Sequence, residues 1–314
     1  MPAPDPATVR LPGPWRHRDV RANGMKFHVA EIVPDRSLDD PTPELVLLVH
    51  GFADLWCSWR SQLVALGDAG YHAAAVDLRG YGDSDKPPRG YDGWTLAGDI
   101  AGLIRSLGHT DAHIVGHADG GLVCWATAAL HPRSVRSIAL LASPHPLALR
   151  RAAIRDRAQR RALLPTFLRY QLPRIPERAL TANDGAEVER LVRERSSTRW
   201  QRSPEFADTV NVMRHAIAVP GVAHSTLEYQ RWAFRSQFRS DGRRFASVVD
   251  TVLDVPAVQI LGGDDPYVLA RTARHDADWA PGIEVHELPG VGHYVHHEEP
   301  ERVTALLLET LRRS

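Results

Sequence analysis

Residues 114–125 read Ile114-Val115-Gly116-His117-Ala118-Asp119-Gly120-Gly121-Leu122-Val123-Cys124-Trp125. A short apolar run ends at a glycine, a polar turn follows, and two more glycines open an apolar stretch. The pattern predicts a strand over 113–115, a turn at once after it, and a helix from about Gly120 to Leu130. The same alternation extends outward. Leu45 to Val49 is a continuous apolar run, as in a strand buried on both faces. A helix is expected from about Trp56 to Leu66, a strand from Ala73 to Leu78, a helix from Thr95 to Leu107 and a strand from Val135 to Ala142. Asn23-Gly24 marks a hairpin turn within 20–33. Strand–helix alternation of this kind builds a mostly parallel sheet with helices on both faces.

The alternation stops between Pro144 and Leu253, where the chain is helical in pattern and rich in arginine. It resumes with a strand over 255–261, a helix near 269–279, a strand over 283–288 and a closing helix over 300–311. The expected organisation is therefore a core over 1–143, a helical cap over 144–253 and the rest of the core over 254–314. Residues 1–14, rich in proline, are expected to form a loose arm.

Composition narrows the function. Thirty-eight basic and 38 acidic residues cancel, which leaves no bulk field for nucleic acid. All basic residues other than Lys26 and Lys86 are arginine, a skew that reads as coding bias. Two cysteines, Cys57 and Cys124, make no disulfide framework. No apolar run reaches 18 residues, and the N-terminus lacks the layout of a secretory signal. A cytoplasmic protein is the expectation. Arginines 150, 151, 155, 157, 160 and 161 would ordinarily form a solvated face, with peripheral contact to anionic lipid left open.

Ligands of such sheets bind beyond the C-terminal strand ends. There the chain places His50-Gly51-Phe52, the turn at 116–121, Gly262-Gly263-Asp264-Asp265-Pro266 and Gly290-Val291-Gly292-His293. With LVHGFADLWCSWR (48–60), AVDLRGYGDSDKP (75–87), IVGHADGGLVCW (114–125), GGDDPYV (262–268) and GVGHYVHHEEPERV (290–303), the chain resembles α/β-hydrolases of the epoxide hydrolase branch over nearly its whole length. The match looks closest to actinobacterial proteins named epoxide hydrolase E.

The resemblance implies an α/β-hydrolase fold and a reaction in which an aspartate attacks an epoxide carbon. The resulting ester is hydrolysed by water activated by a His–Asp pair, giving a vicinal diol without cofactor or metal. His293 fits the general base and Asp265 the acid that orients it. Asp264 fits a solvated turn acid. His50 and Phe52 fit the oxyanion loop, although the family motif H-G-x-P has Ala53 in place of proline. Tyr229, in LEYQRW (227–232), fits the proton donor to the departing oxygen. Tyr170 is a second, weaker match to that role, with a packing role as its rival. Trp56 reads equally as a pocket wall or as core.

The nucleophile position departs from the family. The pattern G-H-D-x-G-G puts an aspartate third, and here Ala118 stands third with Asp119 fourth. Three readings follow. The turn slips by one residue, so that Asp119 attacks with Phe52 and Gly120 N–H groups as the oxyanion hole. Asp119 merely starts a helix in a catalytically silent protein that binds a hydrophobic ligand. Or Ala118 replaces an aspartate or serine. The slipped turn is the working expectation, because the rest of the set is retained. If Ala118 is the apex, the second N–H belongs to Asp119. A haloalkane dehalogenase-like hydrolase is the rival enzyme, but a carboxylate beside the nucleophile would repel halide. The expected partner is a small hydrophobic substrate, lipid-derived epoxides among the candidates. Oligomeric state is left open. His296-His297-Glu298-Glu299 lacks the H-E-x-x-H spacing of a zinc site and reads as polar sequence before the last helix.

Overall fold

A computed structural model describes residues 4–35 and 42–313. Its eight strands are β1 (Arg16–Ala22), β2 (Met25–Ile32), β3 (Leu45–Val49), β4 (His72–Val76), β5 (Ala112–His117), β6 (Val135–Leu141), β7 (Ala257–Gly262) and β8 (Glu284–Leu288). They form one sheet in the order β1-β2-β4-β3-β5-β6-β7-β8. β1 pairs antiparallel with β2 and β2 with β4, and every later pairing is parallel.

The central strands are buried throughout: Leu-Val-Leu-Leu-Val in β3 and all of β5 and β7. A strand covered on both faces needs no polar alternation, which is why β3 is a continuous apolar run, while β5 and β7 bury His113, His117 and Gln259 within theirs. At the β1–β2 hairpin Asn23 and Gly24 both take positive φ, 47° and 76°, as a two-residue primed turn requires.

Between β6 and β7 the chain is helical. The segments that matter for the site are Pro146–Arg155, Arg157–Tyr170, Ala186–Arg195, Val222–Arg235 and Ser240–Val249. Asp156 separates the first two, its Oδ1 accepting the Ala158 and Gln159 N–H groups as an N-cap. The Val222–Arg235 helix packs against Arg157–Tyr170. Arg231 there donates from Nε to the Tyr170 carbonyl at 3.0 Å.

The helix expected near 269–279 is present as a 3₁₀ helix, Ala270–Asp278, and two local expectations change. The N-terminal arm, of which residues 1–3 lie outside the described residues, is pinned rather than loose. A 3₁₀ turn at Pro6–Val9 buries Val9, whose carbonyl accepts the Trp56 indole N–H at 2.9 Å. His296 is buried rather than part of a polar stretch. Cys57 and Cys124 are free and buried.

Candidate active site

The strand–turn–helix after β5 places the site. Ala118 has φ 48° and ψ −115° and N-caps the helix Asp119–Leu130. That backbone is costly for any residue with a Cβ, and the neighbouring glycines make the turn sterically feasible. A Cβ on Gly120 would lie 2.2 Å from the Val49 carbonyl oxygen, and one on Gly116 would lie 2.5 Å from the Gly121 nitrogen. The chain is thus wound tightly at one residue, and that residue is Ala118. The slipped turn is corrected: it required Asp119 at the apex, whereas Asp119 is already the first residue of the helix and the positive φ falls on Ala118, directly after His117 at the end of β5.

Asp119 nevertheless does not turn away. It lines two adjoining cavities and accepts a hydrogen bond at Oδ2 from Gln230 Nε2 on the cap. Burial pushes its carboxyl up to about 6, and the positive charge of Arg195 and the Gln230 hydrogen bond hold it from rising further.

His293 and Asp265 lie 2.6 Å apart, Nδ1 to Oδ2, both buried. Asp265 is fixed by its other oxygen, which accepts the N–H groups of Tyr267 at 2.8 Å and Val268 at 3.0 Å. A carboxylate acceptor makes Nδ1 the protonated nitrogen of a neutral ring, leaving Nε2 as a base. Among the described residues Nε2 has no protein partner. The His293 N–H donates to the Arg195 carbonyl at 2.8 Å, so cap and base loop are joined.

The smaller cavity, of about 20 Å³, is bounded by Phe52, Ala118, Asp119, Tyr170, Arg195 and His293, among others. That volume holds about one water molecule. The larger cavity, of about 660 Å³, is mainly apolar and opens under the cap between Leu122, Leu163, Phe167, Trp232 and Phe245. Asp119 and Gln230 belong to both cavities and stand at their junction.

The two tyrosines line different cavities. Tyr229 donates its hydroxyl to the Arg79 carbonyl at 2.8 Å and lines only the larger cavity. With its proton committed to a backbone oxygen, it does not fit the donor role. Tyr170 lines the small cavity, stacks on Phe52 with ring centroids 5.2 Å apart, and its buried hydroxyl has no partner among the described residues. Trp56 is fully buried core: its indole reaches Val9, its ring meets Trp15, and it lines neither cavity. His50 is turned into the fold, where Nε2 accepts the Leu78 N–H at 3.1 Å and Nδ1–H donates to the Gly51 carbonyl.

Phe52 remains at the site, and its N–H has no partner among the described residues. With the apex at Ala118, the companion N–H is that of Asp119 rather than Gly120. Ala53 takes φ 53° and donates its N–H to Thr226 Oγ1 at 3.3 Å, a bond that a proline could not make. The departure from H-G-x-P therefore ties the oxyanion loop to the cap.

Four site residues escaped the sequence. Arg195, its guanidinium 3.6 Å over the Tyr267 ring, is one arginine among many in the cap. Gln230 adjoins Tyr229, and Tyr267 and Tyr294 sit inside motifs read only for their acid and histidine.

Against this geometry the comparisons are decisive for the family. Residues 44–300 match the family model described as alpha/beta hydrolase fold. The chain belongs to the α/β-hydrolases. Within them it sits in the epoxide hydrolase branch, and its homology to known epoxide hydrolases gives it an enzyme's character. It is 31% identical to "Epoxide hydrolase A" of Mycobacterium tuberculosis, over 94% of this chain and 96% of that one. It is 29% identical to "AB hydrolase superfamily protein YfhM" of Bacillus subtilis, over 93% and 96%. A Bacillus megaterium epoxide hydrolase, solved as an F128A mutant with its diol product, superposes with TM-score 0.80 and 25% identity, over 94% of this chain and 100% of that one. The branch is thereby established, whereas the epoxide hydrolase E subtype is not distinguished within it.

Proposed function

We propose that this α/β-hydrolase opens an epoxide with water to a vicinal diol, and that the water attacks directly. The observation that carries the reading is the water-sized cavity at Ala118, faced by a buried His293–Asp265 pair. Where the family carries a nucleophilic carboxylate, this chain offers a methyl group and room for the attacking molecule.

In this scheme a water bound beside Ala118 gives a proton to His293 Nε2 as its oxygen bonds to an epoxide carbon. The C–O bond of the ring breaks, and the alkoxide takes a proton from the Tyr170 hydroxyl. The imidazolium then restores the tyrosine proton through solvent, so the cycle closes. Asp265 stabilises the imidazolium that forms. The apolar cavity takes the hydrophobic remainder of the substrate, and lipid-derived epoxides suit its size and lining. An ester on Asp119 is the less favoured chemistry. The oxyanion hole of this elbow serves a group carried on residue 118, and an ester on residue 119 lies one position beyond it.

The test is a single turnover in ¹⁸O-water with an aryl or long-chain epoxide, read by mass spectrometry. Direct attack places ¹⁸O in the diol during the first turnover. An ester route places ¹⁶O from the enzyme there instead. Diol formation no faster than in a His293→Gln variant across the panel overturns the enzyme reading in favour of a silent ligand binder. Halide release without diol from haloalkanes would turn it to the dehalogenase.

A further inference from the structure

A buried polar cluster beside the elbow takes no part in that chemistry. Asp54 from the loop after β3, His117 at the end of β5, and His296 from the short helix Val295–Glu298 bring their ligand-capable atoms within 4.8 Å of one another. Each residue is 2% exposed or less. Asp54 Oδ2, His117 Nδ1 and both ring nitrogens of His296 have no hydrogen-bond partner among the described residues. Unsatisfied buried polar atoms are rare and costly, and three side chains that each bring an unpartnered atom to one place call for an occupant.

The remaining atoms of these side chains are held as the outer contacts of a metal site are held. Asp54 Oδ1 accepts the Leu55 N–H at 2.8 Å and the Ser58 hydroxyl. His117 Nε2 lies 3.0 Å from the His293 carbonyl oxygen. A carbonyl only accepts, so Nε2 carries the proton and Nδ1 presents a lone pair to the cluster. Donation of the second ring N–H to a backbone carbonyl is the usual support of a metal-binding histidine. His296 is fixed by stacking on Trp59, with ring centroids 4.5 Å apart.

The cluster therefore presents a carboxylate oxygen, an imidazole lone pair and a second imidazole that can supply one. A cation placed among them would take a lone pair from each of the three side chains at once. We infer that Asp54, His117 and His296 form a binding site for a divalent transition-metal ion of the zinc class. Two imidazoles and one carboxylate match that class and not calcium or magnesium, which take six or more oxygens or retain their waters. His117 immediately precedes Ala118 and donates to the carbonyl of His293. An ion here would fasten the elbow to the loop carrying the base, as a positioning site that does not depend on how the epoxide is opened.

The experiment uses the full chain, stripped with a chelator and returned to metal-free buffer. Titration with Co²⁺ is followed by visible ligand-field absorption, and Zn²⁺ displacement by calorimetry. One ion per chain is expected, with Kd on the order of micromolar or tighter and a thermal midpoint raised by roughly several degrees at saturation. His296→Gln and Asp54→Asn should each weaken binding at least about tenfold. Absence of stoichiometric binding by the unmodified chain overturns the site, even if a variant fails to fold. Binding that both folded variants retain in full also overturns it, by locating the ion elsewhere.

Discussion

Asp119, in the first turn of the elbow helix, accepts at Oδ2 a hydrogen bond from Gln230 Nε2 on the cap. One bond thus joins the core to the roof of the substrate cavity, at a carboxylate that burial pushes up to about 6. The unfolded value of an aspartate is near 3.9. A raised folded value means that the folded state holds this proton more tightly than the unfolded chain. The contribution of Asp119 to stability is therefore best below about pH 4, is lost as pH rises through about 6, and is level above that. Asp119→Asn keeps the uncharged form at every pH. The variant should exceed the parent by roughly 2 kcal/mol at pH 8, allowing for partial exposure, and match it near pH 4. Urea unfolding at both pH values checks this, and a pH-independent difference would contradict the raised carboxyl.

Restoring a carboxylate at the apex is the sharpest probe of the elbow. Ala118→Asp puts a nucleophile where the oxyanion N–H groups of Phe52 and Asp119 are expected to serve it. Diol formation should rise about 100-fold or more, since covalent catalysis splits one difficult step into two. The ¹⁸O pattern of the first turnover should switch to ¹⁶O from the enzyme. A variant that folds and shows neither change would mean that the new side chain does not reach the substrate.

Tyr170 and Tyr229 separate by their hydroxyl partners. Tyr170→Phe removes a buried hydroxyl with no partner among the described residues, so stability should hold or improve slightly, while kcat falls about 10–100-fold for loss of the proton donor. Tyr229→Phe removes the bond to the Arg79 carbonyl and should cost about 1 kcal/mol with kcat changed only a few-fold. Steady-state kinetics paired with denaturant unfolding reads both. The reverse pattern would return the donor role to Tyr229.

The legible part of the molecule was the part written in periodicity. β3 announces itself because burial on both faces leaves only apolar residues, and Asn23-Gly24 because few pairs tolerate two positive φ angles. His293 and Asp265 could be named because each follows a strand in a glycine-rich turn. The apex was misjudged for a physical reason: a motif gives the order of residues, while the strained φ is set by how closely Gly116, Gly120 and Gly121 let neighbouring backbones approach. The partner of the Tyr229 hydroxyl was not legible because hydroxyl partners are tertiary. Arg79, whose carbonyl accepts the Tyr229 hydroxyl, lies 150 residues away in sequence. The Asp54–His117–His296 cluster draws on three separate segments, so no local spacing could announce it.

The strain at Ala118 is itself measurable. At φ 48° and ψ −115°, a Cβ is unfavourable by about 1–3 kcal/mol, whereas glycine populates positive φ about as readily as negative. Replacing alanine by glycine ordinarily destabilises a protein, because the unfolded chain gains freedom, by roughly 0.5–1 kcal/mol. Here relief of strain should outweigh that term. Ala118→Gly is expected to stabilise the fold by about 1 kcal/mol. The control is Ala129→Gly, inside the same helix Asp119–Leu130, which should cost about 1 kcal/mol. Opposite signs for one substitution at positions eleven residues apart would locate the elbow at Ala118 by thermodynamics alone. Equal losses at both would mean that residue 118 has ordinary backbone in solution, and the apex would have to be sought at Asp119 after all.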